Sequence, residues 1–152
     1  MYDQTVLIVE DDQEDATQLG EYIREDYLPV KVGRLDEALD RCRDFFFDAI
    51  ILDLTLPNSQ GMEITEKVRQ AAPDSGLVIV TGLTRSEVEE LSIMAGADEF
   101  IRKGVDCTAE TVLKMLRRSM ARVKAARLFR PLQEKVAAAV IARQNLDRFW
   151  SK

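Results

Sequence analysis

The stretch IILDLTLP, residues 50–57, decides the fold, because a run of aliphatic residues ends in a single carboxylate, Asp53. Such a run is typical of a strand that is buried on both faces of a parallel sheet. Four further short runs, rich in apolar and β-branched residues, recur along the chain. The five predicted strands are Thr5–Val9, Pro29–Val32, Phe47–Leu52, Leu77–Val80 and Glu99–Arg102.

The segments between these runs have the apolar spacing of amphipathic helices. Leu19, Tyr22 and Ile23 share one helical face between the first two strands, and Ile64 and Val68 do so after the third. Strands that alternate with helices of this length indicate parallel βαβ units. The sequence therefore predicts an α/β fold, a doubly wound (βα)5 parallel sheet with helices on both faces.

Polar side chains stand at the carboxyl ends of four of the five strands. Ligands of doubly wound sheets bind outside these ends, where the strand order reverses. We therefore expect these side chains to converge on one rim and form a site. They are Glu10, Asp11, Asp12, Asp53, Thr81 and Lys103.

The acidic residues of this set suit a divalent cation. Carboxylates that are forced together repel each other, and a hard cation such as Mg²⁺ relieves the repulsion. Asp11 and Asp53 are the expected side-chain ligands, and Asp12 or Glu10 could act directly or through water. The acidic triplet at residues 10–12 alone could equally be a helix cap or solvated surface.

The remaining two residues suit a phosphoryl group. Lys103 could pair first with Asp53 and then with a phosphoryl oxygen, and Thr81 could donate a hydrogen bond to another. A carboxylate nucleophile, a metal ion and a lysine together indicate phosphoryl transfer. Lys103 alone would be an ordinary surface lysine, but its position at a strand end beside the carboxylates favours a site.

Four motifs resemble those of the receiver domains of response regulators, in particular the chemotaxis-type receivers. They are VLIVEDD (residues 6–12), IILDLTLP (50–57), VIVTG (78–82) and GADEFIRKG (96–104). The similarity extends over about residues 4–120. It implies a flavodoxin-like fold and a role in two-component signalling.

The resemblance also implies a role for each matching residue. Asp53 would be the phosphoacceptor, contacted after phosphorylation by Thr81 and Lys103. Thr81 and Phe100 would form the switch that reports phosphorylation to the face made by the fourth helix, fifth strand and fifth helix. The residues that would bind Mg²⁺ are Asp11, Asp53, Thr55 (through its main-chain carbonyl) and Asp12.

The resemblance implies partners as well. A histidine kinase or a histidine phosphotransfer protein would supply the phosphoryl group, since this chain contains no histidine. A homodimer could form through the fourth helix, fifth strand and fifth helix, or through the C-terminal helices. The chain would not be an enzyme acting on an external metabolite. Two cysteines without a disulfide or metal-site pattern suit a reducing cytoplasm, the expected location.

Two alternatives have weaker support. A phosphatase of the haloacid-dehalogenase type needs an aspartate two residues after its nucleophile, where this chain has Thr55. A pseudo-receiver, which binds partners without being phosphorylated, remains an alternative because Gly104 stands where receivers usually have proline. Glycine permits the turn after Lys103 but leaves the geometry of that loop open.

The C-terminal region differs from the rest in charge. Residues 1–116 contain 11 basic and 25 acidic residues, a net charge of −14, whereas residues 117–152 contain 10 and 2, a net charge of +8. We predict a receiver domain at residues 1–120 and a helical extension at residues 121–152. Thr108 is expected to cap the fifth helix, and Pro131 to break or kink it and begin another.

Four roles of the extension compete. It could be a connector or dimerisation helix, or a basic helix folded back on the acidic domain. The sequence disfavours nucleic-acid binding, because no helix-turn-helix, RRM-like or zinc pattern accompanies the positive charge. A basic helix that ends in Phe149 and Trp150 could also lie on a membrane surface, although the sequence contains no membrane span.

Overall fold

The computed structural model describes residues 2–151, which contain seven strands and five helices. The strands are β1 (Thr5–Val9), β2 (Leu28–Val32), β3 (Ala49–Leu52), β4 (Thr55–Leu56), β5 (Ser59–Gln60), β6 (Gly76–Thr81) and β7 (Glu99–Arg102). The helices are α1 (Gln13–Ile23), α2 (Leu35–Asp44), α3 (Met62–Ala71), α4 (Glu87–Met94) and α5 (Ala109–Trp150). The predicted alternation of strands and helices is confirmed. A two-stranded antiparallel ribbon, β4–β5, was not predicted.

The large sheet is wholly parallel and has the strand order β2-β1-β3-β6-β7. The chain moves outward from β1 to β2, returns to β3 on the other side of β1, and then continues to β7. The order therefore reverses between β1 and β3, whose last residues Val9 and Leu52 are register partners. In such sheets the crevice at this reversal is where ligands bind.

Each central strand is buried on both faces, which explains why the runs are apolar without alternation. Leu7, Ile50 and Ile79 belong to the core cluster that contains the buried residues of α2 and α3. Ile8 and Ile51, one residue further along, belong to the cluster formed with α1 and α5. Neighbouring residues of a strand point to opposite faces. The sheet is therefore held from both sides, and the ends of its strands are rigidly placed.

The fifth helix begins as predicted but does not end as predicted. Thr108 is its N-cap and accepts a hydrogen bond from the Thr111 N–H, at 3.2 Å. The prediction that Pro131 separates two helices is wrong, because α5 is one helix of 42 residues with Pro131 inside it. Proline removes the bond to the carbonyl of Arg127, and at this exposed position water can replace that bond. The long helical segments on both sides of Pro131 keep the intervening residues helical, because extending an existing helix is far less costly than starting a new one.

Beyond Arg130, whose guanidinium lies 3.5 Å from Asp74 Oδ1, no residue of α5 has a recorded ion pair or hydrogen bond with the rest of the described chain. Every residue from Lys124 to Trp150 is exposed, whereas Val112, Leu116 and Ser119 are buried. The basic segment does not form a separate helix that folds back. It continues α5, and among the described residues its Arg122 and Arg130 pair with Glu99 and Asp74 of the acidic domain. Among the residues described, no helix has both the length and the apolar composition needed to cross a bilayer.

Candidate functional site

Asp53 lies directly after β3, at the carboxyl edge of the sheet, and is only 3% exposed. Its N–H donates to the carbonyl of Val9, which continues the pairing of β3 with β1. Its Oδ1 accepts hydrogen bonds from the N–H and the hydroxyl of Thr55, each at 3.1 Å. The two hydrogen bonds from Thr55 orient this carboxylate.

Lys103 reaches the same place from β7. Its N–H donates to the carbonyl of Thr81, so the chain after β7 remains bonded to the end of β6. The Lys103 Nζ donates to Glu10 Oε2 and Asp15 Oδ2, each at 2.8 Å, and to Asp53 Oδ2 at 3.0 Å. One ammonium group therefore links β1, α1, β3 and β7.

The carboxylates of Glu10, Asp11 and Asp53 form a cluster in which one oxygen of each lies within 4.8 Å of the others. Glu10 and Asp53 are buried and Asp11 is exposed. The set fits Mg²⁺, which prefers a few carboxylates and retains water, with the exposed Asp11 leaving room for that water. These three carboxylates would hold the ion, and the main-chain carbonyl of Thr55 stays a predicted further ligand.

Asp12, which was expected in this acidic pocket, is used differently. It is the N-cap of α1, and its Oδ1 accepts from the Asp15 N–H at 2.9 Å. Its own N–H donates to Glu10 Oε1 at 3.1 Å. The structure therefore brings Glu10 rather than Asp12 into the carboxylate cluster. The physical reason is that a helix cap needs a side chain at this position to satisfy otherwise unpaired N–H groups.

Burial and charge shift the pKa values of the site in different directions. Burial, supported by the hydrogen bond to Asp53 and opposed by Lys103, raises the pKa of Glu10 to about 7. Burial also acts to raise the pKa of Asp53, but hydrogen bonds from Glu10, Lys103 and the Thr55 N–H outweigh it and lower that pKa. Burial acts to lower the pKa of Lys103, and its bonds to the carboxylates raise it nevertheless. Without a cation, Asp53 is thus the charged carboxylate and Glu10 the one that retains a proton more readily.

Thr81 and Phe100 are buried on the neighbouring strands β6 and β7. Thr81 is fully buried at the end of β6, and its hydroxyl accepts a hydrogen bond from the Leu83 N–H at 3.4 Å. Phe100 is in β7, 9% exposed, and packs in the core cluster that contains α2 and α3. The guanidinium of Arg102 lies 6.0 Å from the centre of its ring.

Asp15 is the residue of the site that sequence reasoning missed. The acidic first turn of a predicted helix is usually explained by the helix dipole, so nothing marked Asp15 as special. The available signal was its position three residues after a capping aspartate, which returns it to the same side of the helix.

Gly104, which follows Lys103, has a φ of 76°. Glycine adopts this left-handed conformation without strain.

The chain is similar to known proteins over most of its length. Residues 6–117 match the family described as "Response regulator receiver domain". The response regulator ArlR of Staphylococcus aureus is 34% identical over 102 residues, which are 66% of this chain and 46% of that protein. A cyclic di-GMP phosphodiesterase of Thermotoga maritima is 29% identical over 103 residues, 67% of this chain and 27% of that protein. The chain thus spans less than half the length of these two relatives.

Solved structures show the same fold. A response regulator receiver domain protein, described as CheY-like, from Methanospirillum hungatei superposes with a TM-score of 0.72 at 26% identity. The alignment covers 81% of this chain and 98% of that one.

Proposed function

The chain belongs to the response regulator receiver family of two-component signalling, and from this membership we propose that Asp53 is phosphorylated in a Mg²⁺-dependent reaction. The observation that carries the proposal is the contact of Lys103 Nζ with Asp53 Oδ2, at 3.0 Å, beside the cluster of Glu10, Asp11 and Asp53. A buried nucleophilic carboxylate, a cation site and a lysine are the parts that phosphoryl transfer requires.

In the proposed reaction, a carboxylate oxygen of Asp53 attacks the phosphorus of a phosphohistidine. A P–O bond forms, the P–N bond breaks, and the imidazole of the partner leaves with the electron pair and takes up a proton. Thr55 orients the nucleophile through its two hydrogen bonds to Oδ1. The charge of Lys103 stabilises the phosphoryl oxygens, and a bound Mg²⁺ would neutralise further charge there.

A histidine kinase or a histidine phosphotransfer protein is the proposed donor, because this chain has no histidine of its own. The chain would act on no external metabolite and would catalyse only its own phosphorylation and dephosphorylation. We assign to Thr81 and Phe100 the role of transmitting the change. They lie on the neighbouring strands β6 and β7, where Phe100 pairs with Ile79 and Thr81 pairs with Arg102, the residue before Lys103. The two free cysteines suit the cytoplasm as the proposed location.

Intact-mass measurement after incubation with acetyl phosphate and Mg²⁺ tests this function. The expected result is a gain of about 80 Da, one phosphoryl group, that disappears in Asp53→Asn and when the metal is chelated. Asp44→Asn is the matched control, because Asp44 is an exposed carboxylate at the end of α2, toward the opposite edge of the sheet. The absence of any adduct on the wild-type chain would refute the proposal and favour the pseudo-receiver.

We also propose that the exposed part of α5 associates with a second copy of this chain. Phe129, Leu132 and Val136 are each more than half exposed and recur every three or four residues, as in a coiled coil. Seven large apolar side chains of this segment together expose roughly 800 Å², about what each partner buries in a standard interface. They are Phe129, Leu132, Val136, Val140, Leu146, Phe149 and Trp150.

Sedimentation equilibrium tests this association. The double variant Leu132→Lys/Leu146→Lys places charge among these apolar side chains and should be monomeric at concentrations where the wild type is dimeric. Ala137→Lys/Gln144→Lys adds the same charge at exposed positions outside this apolar set and should remain dimeric. A dimer that survives in the first variant would instead assign dimerisation to the face of α4, β7 and the start of α5.

A further inference from the structure

Asp15 is the one partner of Lys103 that lies on a helix and faces solvent. It occupies the first turn of α1, where the Asp12 cap accepts a hydrogen bond from its N–H. This bond orients the backbone so that the Asp15 carboxylate meets Lys103 Nζ at 2.8 Å. The side chain of Asp15 is 47% exposed, whereas those of Glu10 and Asp53 are 2% and 3% exposed.

All three N–H donors of the Lys103 ammonium group are engaged in hydrogen bonds. A lysine has three N–H donors, and in this structure they go to Glu10, Asp15 and Asp53. A phosphoryl oxygen beside Asp53 can therefore bond to Lys103 only if one of these carboxylates gives up its bond.

The three bonds differ in how costly they are to lose. A buried carboxylate such as that of Glu10 has no water to replace its partner, so losing the bond is expensive. An exposed carboxylate is rehydrated when its partner leaves, and exposed ion pairs are correspondingly weak. Asp53 is itself the residue that carries the phosphoryl group. The bond to Asp15 is thus the one that costs least to exchange.

We propose that Asp15 is a positioning residue that holds Lys103 in the unphosphorylated state and releases it to a phosphoryl oxygen when Asp53 is phosphorylated. Asp15 competes with the phosphoryl group for one donor, so it lowers the affinity of the site for that group. This inference rests on the proposed phosphorylation of Asp53. It assigns a regulatory role to Asp15, a residue that lies outside the four sequence motifs.

Titration with beryllofluoride, a non-covalent substitute for the phosphoryl group, tests the inference in the presence of Mg²⁺, with binding followed by ¹⁹F NMR. Removing the competing carboxylate in Asp15→Asn should tighten binding by about two- to fivefold, the factor that corresponds to a typical exposed ion pair. Asp15→Glu keeps the charge within reach of Lys103 and should bind as the wild type does.

Glu14→Gln is the matched control, because it removes one negative charge from an exposed residue of the same helical turn. It should leave the affinity unchanged. Equal or weaker binding by Asp15→Asn than by the wild type overturns the inference, as does equal tightening in Glu14→Gln, which would indicate a general charge effect. If the wild type itself binds no beryllofluoride, the proposed function fails instead.

Discussion

Replacing Glu10 by glutamine should remove much of the pH dependence of stability between pH 4.5 and pH 7. Burial and the contact with Asp53 raise the pKa of Glu10 from 4.5 to about 7 in the folded chain. A carboxyl group with a higher pKa in the folded than in the unfolded state binds its proton more tightly when folded. Its contribution to stability is therefore fully present below pH 4.5 and is lost as the pH rises through 7.

The size of this effect follows from the two pKa values. Their separation corresponds to about 3 kcal/mol of unfolding free energy, because one pKa unit is equivalent to about 1.4 kcal/mol. The lowered pKa of Asp53 and the raised pKa of Lys103 act outside this pH range. The change between pH 4.5 and pH 7 should thus report mainly on Glu10.

Urea unfolding followed by circular dichroism at pH 4.5, 5.5, 6.5 and 7.5, with a chelator present, measures the effect. The wild type should lose about 3 kcal/mol over this range, and Glu10→Gln should lose little. Glu14→Gln, an exposed change of the same chemistry, should follow the wild type. If Glu10→Gln shows the same slope as the wild type, the pKa of Glu10 is not raised in the folded chain.

Three further changes test the packing and the backbone. Gly104→Ala should lower the free energy of unfolding by about 1–2 kcal/mol, because the φ of Gly104 is 76°. Gly82→Ala, whose Cβ would meet no neighbouring atom, should lower it less, and urea unfolding compares the two variants. Gly76→Ala should cost about 1–3 kcal/mol in the same assay, because its Cβ would meet Ser119 and the backbone after it; a value near zero would contradict the close approach of α5 to β6. Pro131→Ala should raise the hydrogen-exchange protection of the surrounding amides by up to about a hundredfold, since proline costs a helix about 3 kcal/mol; unchanged protection would show that proline does not weaken α5 there.

The predicted strands agree closely with the structure, because burial on both faces leaves an unmistakable apolar run. The third predicted strand, β3, begins at Ala49 rather than Phe47, and the fourth predicted strand, β6, extends to Thr81. The β4–β5 ribbon was missed because its strands have two residues each, too few to show any periodicity. The continuous α5 is not evident from the sequence, because Pro131 locally disfavours a helix and only the helical segments on both sides of it stabilise one.

The sequence by itself determined which residues stand at the carboxyl ends of the strands, and so that Asp53, Asp11 and Lys103 would meet. Parallel strands with short connections bring such residues to one edge, whatever the details of packing. Only the tertiary structure decided that Glu10 enters the cluster while Asp12 caps α1, and that Asp15 reaches Lys103. These outcomes depend on side-chain directions and on competition for hydrogen-bond donors, which arise when helix and strand are already in place and which no local pattern records.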